Sequence, residues 1–324
     1  MSAPMQLTDW LDATASNYLE DFVPAGGSAV KFAIAMGDVS TSEITAGVSD
    51  RARDLGFLTA TIDASRVKIG SIEKVLGSIS AQIDLYDLID RLIVNLMADQ
   101  HWVAPAPGPE PLAERLATSN GIDAESLALM ARPALVQKIF RSDQIAQDMR
   151  SAILGLANER LIGGESMVTA FSTIGEWLTG NLTKISSVRR YQIHSKVNRG
   201  NARFLFESLL QVIKLAGIPG MVVTVDISRF LNSEKQPDQI SYAKASLLDA
   251  YEVLREFVDA TDDLEHFLMV VAAPMSFLDT NTKGRGLGRY PALYNRVYDE
   301  VRDRNLTNPL SALVRVGTPI EVAQ

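Results

Sequence analysis

Three short apolar runs constrain the fold of this chain more than any other feature: AVKFAIAM at 29–36, MVVTVDI at 221–227 and HFLMVVAAP at 266–274. None alternates apolar with polar, so each is a strand that buries both faces. Only a sheet covered on both sides satisfies such strands, and that means parallel strands joined by helical crossovers. A fourth run, FLTATID at 57–63, follows the first after STSEITAGVSDRARDLG, which has a capping-type start and a glycine stop at Gly56. A strand, helix and strand of that length make a right-handed parallel crossover. SALVRVG at 311–317 closes the sheet. The expected class is α/β.

Helical spacing fills the remainder. Residues 6–22 place Leu7, Trp10, Leu11 and Tyr18 near one face, and the pattern ends at Pro24, Gly26 and Gly27. Helical periodicity recurs over 72–97, 112–180, 204–217 and 241–261, and the proline-rich VAPAPGPEP at 103–111 reads as an extended loop. The expected organisation is an N-terminal helix and lead-in at 1–28 and the first half of the α/β core at 29–102. A helical insertion or subdomain at 103–200 and the second core half at 201–324 complete it. Trp10, Trp102 and Trp177 read as packing residues.

Composition excludes several classes. The chain of 324 residues is 47% hydrophobic and 22% charged, enough apolar material for a large core. A formal net charge of -8 gives no general attraction to nucleic acid or anionic membranes, so any polyanion contact must be local. There is no cysteine, which excludes thiolate metal sites and favours a cytoplasmic protein. His101, His194 and His266 lack ligand-like spacing, so no metal site is expected. The segment MSAPMQLTDW has no signal-peptide pattern, and no apolar run reaches the ~20 residues of a membrane span.

The stretch AIAMGDVSTSEIT, 33–45, sits where a strand passes into a helix, the place of a phosphate-binding loop. Such a loop, G-x-x-x-x-G-K-[ST], uses glycines to wrap phosphates, lysine to neutralise them and a hydroxyl to hold magnesium. In the frame beginning at Gly37, Ser42 takes the second glycine, Glu43 the lysine and Ile44 the hydroxyl. A carboxylate facing a triphosphate at ~4 Å costs ~4 kcal/mol at an effective dielectric near 20. A second nucleotide-site element, an apolar strand ending in Asp and Glu, is half present: MVVTVDI supplies Asp226, but Ile227 holds the glutamate position and cannot orient water. The vestigial site comprises Gly37, Ser42, Glu43, Ile44, Asp226 and Ile227, with no catalytic residue and no bound cofactor expected unless the altered loop still takes ATP and magnesium.

Several blocks together resemble the ATP-binding P-loop family of the BREX phage-defence systems. They run from FVPAGGSAVKFAIAMGD through RARDLGFLTATIDAS, and from LLQVIKLAGIPGMVVTVD to HFLMVVAAPMSFLDTNTKGRGLGRYPALYNRV. Gly217, Ile218, Pro219, Gly220 and Asp226 carry one block, and Tyr251, Leu254 and Arg255 another. Ala273, Pro274 and Phe277 carry a third, and Arg289, Tyr290, Pro291, Ala292, Leu293 and Arg296 the last. The resemblance lies at the two ends of the chain rather than in its middle. It implies a P-loop NTPase fold of the AAA+/ASCE kind, while Glu43, Ile44 and Ile227 argue against activity. The resulting expectation is a decayed phosphate loop in a pseudo-ATPase that acts as scaffold or regulator beside an active ATPase, helicase or methyltransferase, in a homo- or hetero-oligomer. Two alternatives stay open: a divergent nucleotidase with Glu43 or Asp38 joining Asp226 at a metal, and a DNA-binding module.

Two basic segments serve the last alternative. RRYQIHSKVNRGNAR, 189–203, holds Arg189, Arg190, Lys196, Arg199 and Arg203 without an acid, and its Tyr191 suits base stacking. NTKGRGLGRYPALYNRV brings Lys283, Arg285, Arg289 and Arg296, where an arginine could reach a neighbouring subunit's nucleotide. Both also read as solvated faces or as contacts for an acidic partner.

Overall fold

A computed structural model describes residues 4–98, 101–106, 108, 110–234, 236–298 and 308–318. It divides into two compact units, one formed by residues 1–79 and 219–324 and the other by 80–218. The helical unit thus begins earlier and ends later than the 103–200 expected from the sequence.

The first unit holds the sheet. Helix α1 (Leu7–Thr14) continues through a wider π-type helical segment over 15–22 and leads to β1 (Ser28–Met36). Helix α2 (Thr41–Asp54) and β2 (Leu58–Asp63) follow, then α3 (Ile72–Ser80) at the unit's edge. The chain returns with β3 (Met221–Asp226), the short α10 (Ser228–Leu231), α11 (Lys244–Asp259), β4 (Phe267–Pro274), α12 (Pro291–Val297) and β5 (Leu313–Gly317). Helices α4 to α9 lie in the second unit. Among the described residues, five strands run parallel in the order β2-β3-β4-β1-β5. Strand β4 therefore lies between β1 and β3, and all their carboxyl ends emerge on one edge.

The apolar runs explain this. In β3 and β4 every residue but the last is buried, as strands covered on both faces must be. On one face α1 and α2 bring Trp10, Leu11, Ile44, Val48 and Ala52 onto Ala33, Val222, Leu268, Val270, Val314 and Val316. Helix α2 is also pinned by hydroxyls: the buried Ser49 Oγ lies 3.3 Å from the buried Thr224 Oγ1, which lies 3.0 Å from Thr61 Oγ1. On the other face Phe32 stacks on Phe277, and Tyr251 packs against both Phe277 and Phe230.

The second unit contains α4 (Leu85–Ala98), α5 (Leu112–Ser119), α6 (Ala124–Leu135), α7 (Gln147–Ile162), α8 (Glu165–Leu178) and α9 (Ala202–Leu215). Helix α7 is central and buries Met149, Ala152, Ile153, Leu156, Ala157 and Leu161. Arg160 on α7 makes a bidentate pair with Asp90 on α4, at 2.6 and 2.8 Å, with both side chains mostly buried. The twenty-three residues between α8 and α9, 179–201, form no long helix or strand, only two short 3₁₀ turns at Ile185–Ser187 and Arg189–Tyr191.

Candidate functional site

The turn between β1 and α2 opens on the carboxyl edge of the sheet, where parallel α/β proteins place their ligands. Four residues, 37–40, join the strand to the helix. Gly37 has φ of 63°, and a β-carbon there would lie 2.6 Å from Thr318 Oγ1, so both conformation and space demand glycine. Thr318, just beyond β5, donates to Asp38 Oδ1 at 2.7 Å. That hydrogen bond holds the Asp38 carboxyl below its usual range.

Helix α2 then starts with a complete capping box. Ser40 Oγ accepts from the Glu43 backbone N–H, and Glu43 Oε2 accepts from the Ser40 backbone N–H at 2.8 Å and from Ser40 Oγ at 2.7 Å. The Ser40 hydroxyl, followed by the Ser40 N–H, lowers the Glu43 pKa. Glu43 is therefore bound back onto the helix start rather than standing alone in an anion cradle. It satisfies donors at a helix N-terminus that would otherwise attract a phosphate. Ser42, in the place of the second glycine, is exposed within the first turn of α2, and Ile44 is fully buried in the core.

Asp226 ends β3 on the same edge, in register with Asp63 of β2. Its Oδ2 accepts from Thr41 Oγ1 at 2.7 Å, and its Oδ1 accepts from the Ser228 backbone N–H at 2.8 Å. Thr41 and Ser228 hydroxyls lie 3.0 Å apart. Sequence reading missed both residues. The frame anchored on Gly37 assigns the hydroxyl to position 44, whereas the side chain that reaches Asp226 stands three residues earlier, at the first residue of α2. A Thr at the mouth of the helix was the available signal. Ile227 is fully buried, its N–H bonded to Ala272 O at 3.0 Å. A cation could use Asp226 with two hydroxyls. Among the described residues, however, no group of three or more acidic or histidine side chains is arranged for a metal, and the turn offers no lysine.

The later basic segment is internally engaged. Arg285 donates to the carbonyls of Phe230 at 2.6 Å and Tyr242 at 2.8 Å, while Tyr251 Oη donates to Arg285 O at 2.6 Å. Arg289 donates to Thr282 O at 2.8 Å. Arg296 pairs with Asp259, which also pairs with Arg255; Arg255 grips Glu252 at 2.7 and 2.9 Å, and Glu252 accepts from Tyr290. Lys283 is exposed. Two sequence blocks that looked unrelated, around 251–255 and 289–296, are thus two sides of one clasp between α11 and α12. The hydrogen bonds from Arg255 and then Tyr290 hold the Glu252 carboxyl down to about 2.

In the helical unit, Arg189, Arg190, Lys196, Arg199 and Arg203 all reach solvent. Tyr191 does not: it is buried, with its ring against Gly155, so it offers no face for stacking. Arg190 covers that ring, Lys196 donates to Thr183 O at 2.6 Å and Arg203 pairs with Glu207 at 3.2 Å.

A family model described as BREX system ATP-binding protein BrxC/D matches residues 111–318, almost two thirds of the chain. The chain belongs to that family. Membership gives it a role among the proteins of a BREX phage-defence system. The matched span includes most of the helical unit, which sequence reading had regarded as carrying little of the resemblance. It includes β3, β4 and β5, and it does not include β1, α2 or β2. No curated protein and no solved structure matches the chain. Among the described residues, no helix is long and apolar enough to cross a membrane.

Proposed function

We propose that the protein is a non-catalytic, P-loop-ATPase-like subunit that serves a BREX defence complex as scaffold or regulator. The sheet supports a P-loop ancestry, because one strand separates the strand that feeds the turn from the strand that ends in Asp226, as in ASCE-like sheets. The observation that carries the loss of catalysis is the state of the two key positions. Glu43 is committed to the Ser40 capping box, and Ile227 is sealed in the core. A nucleotide bound here would meet Asp38 and Glu43 instead of a lysine, and no carboxylate follows Asp226 to polarise water. Thr41 and Ser228 keep Asp226 hydrogen-bonded without a metal, so the edge is self-contained. Its partners would be the catalytically active proteins of the same system.

Isothermal titration of the full chain with ATP and magnesium tests this reading. The expected result is no heat of binding at micromolar nucleotide. Micromolar binding that disappears in Asp226→Ala, or steady hydrolysis with the same sensitivity, would overturn it.

A further inference from the structure

The segment 184–204 of the helical unit concentrates positive charge on a chain whose net charge is -8. Lys184, Arg189, Arg190, Lys196, Arg199 and Arg203 fall within it, no Asp or Glu does, and all six side chains are exposed. A solvated loop of such composition would ordinarily be held by little. This one is fastened from inside. Val188, Tyr191 and Ile193 are buried. Asp148 accepts from the backbone N–H groups of His194 and Ser195 at 3.0 and 2.9 Å, and Trp177 Nε1 donates to Ser195 O at 2.8 Å. Asn201 Oδ1 takes the Asn198 N–H at 2.8 Å, and both asparagine amides reach Lys196 O. The apolar side chains face in, the cations face out, and the backbone between them is fixed. Arg189 and Arg199 form no ion pair among the described residues.

A second observation lies at the end of the segment. Phe204, in the first turn of α9, is 45% exposed beside Arg203. A large aromatic ring left in water next to fixed cations has a cost that burial under a planar ligand would recover. Cations that hold phosphates together with an exposed ring that accepts a base are the elements of single-strand recognition. An acidic protein would satisfy the cations but gives the ring no planar partner.

We propose that residues 184–204 form a binding surface for single-stranded nucleic acid, with Arg189, Arg199 and Lys184 on phosphates and Phe204 stacked on a base. Duplex DNA, whose bases are already stacked, would engage only the cations. Selectivity for sequence is absent, since nothing here reads base edges.

The test is fluorescence anisotropy of the full chain with a labelled 20-nucleotide oligo-dT and with a duplex of the same length, at ~50 and ~200 mM salt. Single strand should bind more tightly than duplex. Phe204→Ala, at an exposed position, should weaken single-strand binding ~5- to 100-fold and leave duplex binding nearly unchanged. Arg199→Gln should lower the log-log salt slope by ~0.7 on single strand. Arg66→Gln, at an exposed arginine of the sheet unit, should change neither. Absence of binding at the lower salt overturns the proposal, as does equal loss on duplex and single strand in Phe204→Ala. Displacement of the oligonucleotide by polyglutamate at equal charge concentration would also overturn it, in favour of an acidic protein partner.

Discussion

Lys31 is the least comfortable residue of the sheet. It stands in the middle of β1, is 2% exposed, and among the described residues its ammonium has the Tyr18 hydroxyl at 3.2 Å and the Tyr18 ring at 4.9 Å for company. Burial drives its pKa from 10.5 to about 7. The unfolded chain therefore binds more protons than the native one between pH 7 and 10.5, and stability must rise with pH through that window. At 1.36 kcal/mol per unit, the charge penalty is ~4 kcal/mol at pH 7 and ~1.4 at pH 9.5. Lys31→Met keeps the volume and removes the charge, at the loss of a hydrogen bond worth ~1 kcal/mol. The variant should be more stable by ~3 kcal/mol at pH 7, and that advantage should fall by ~3 kcal/mol on reaching pH 9.5. Urea unfolding at several pH values measures it. Trp10 belongs to the sheet unit, so its fluorescence, with Trp102 and Trp177 replaced by phenylalanine, isolates the relevant transition. A variant that is less stable at pH 7, or whose advantage does not change with pH, would refute the reasoning.

Other outcomes follow from the site and the clasp. Ser40→Ala removes the N-cap of α2 and should cost ~1 kcal/mol without creating nucleotide binding, checked by denaturation and titration calorimetry. Ile227→Glu restores the residue type of an active relative but places a carboxylate at a fully buried position, so it should cost ~3 kcal/mol or more and yield no phosphate release in a hydrolysis assay. Glu252→Gln should destabilise the sheet unit by ~1–2 kcal/mol near neutral pH, since Arg255 and Tyr290 lose a charged acceptor. Because the native Glu252 carboxyl is depressed from 4.5 to about 2, its contribution is present above 4.5 and is lost as pH falls toward 2, and acid titration of wild type against variant should show the difference closing over that interval.

Much of the sheet was legible because its signal is local. A strand buried on both faces is written in consecutive apolar residues, and the bounds read for β1, β2, β3 and β4 lie within a residue or two of those in the structure. The helix start at Ser40 was legible for the same reason, since a capping box spans only four residues. Reading Glu43 as a displaced lysine required a frame, and frames carry no geometry. Glu43 was visible both as a cap and as a phosphate-repelling group, and only the folded helix start shows where its oxygens go. Tyr191 and Phe204 make the same point. Both lie in or beside the basic run, and the approach of Tyr191 to Gly155 of α7 buries that ring while Phe204 stays in water.

The amino-acid order alone determined that this chain builds a covered parallel sheet and that its basic residues come in two runs. Those properties depend on neighbours a few positions apart. The tertiary structure decided which hydroxyl meets Asp226, that Arg285, Arg289 and Arg296 serve the fold's own carbonyls and carboxylates, and that the earlier run keeps its cations in solvent. Those outcomes depend on contacts between residues up to 185 positions apart, as between Thr41 and Asp226. Hydrogen-bond partners at that separation are chosen by how strands order within the sheet, which no local pattern encodes.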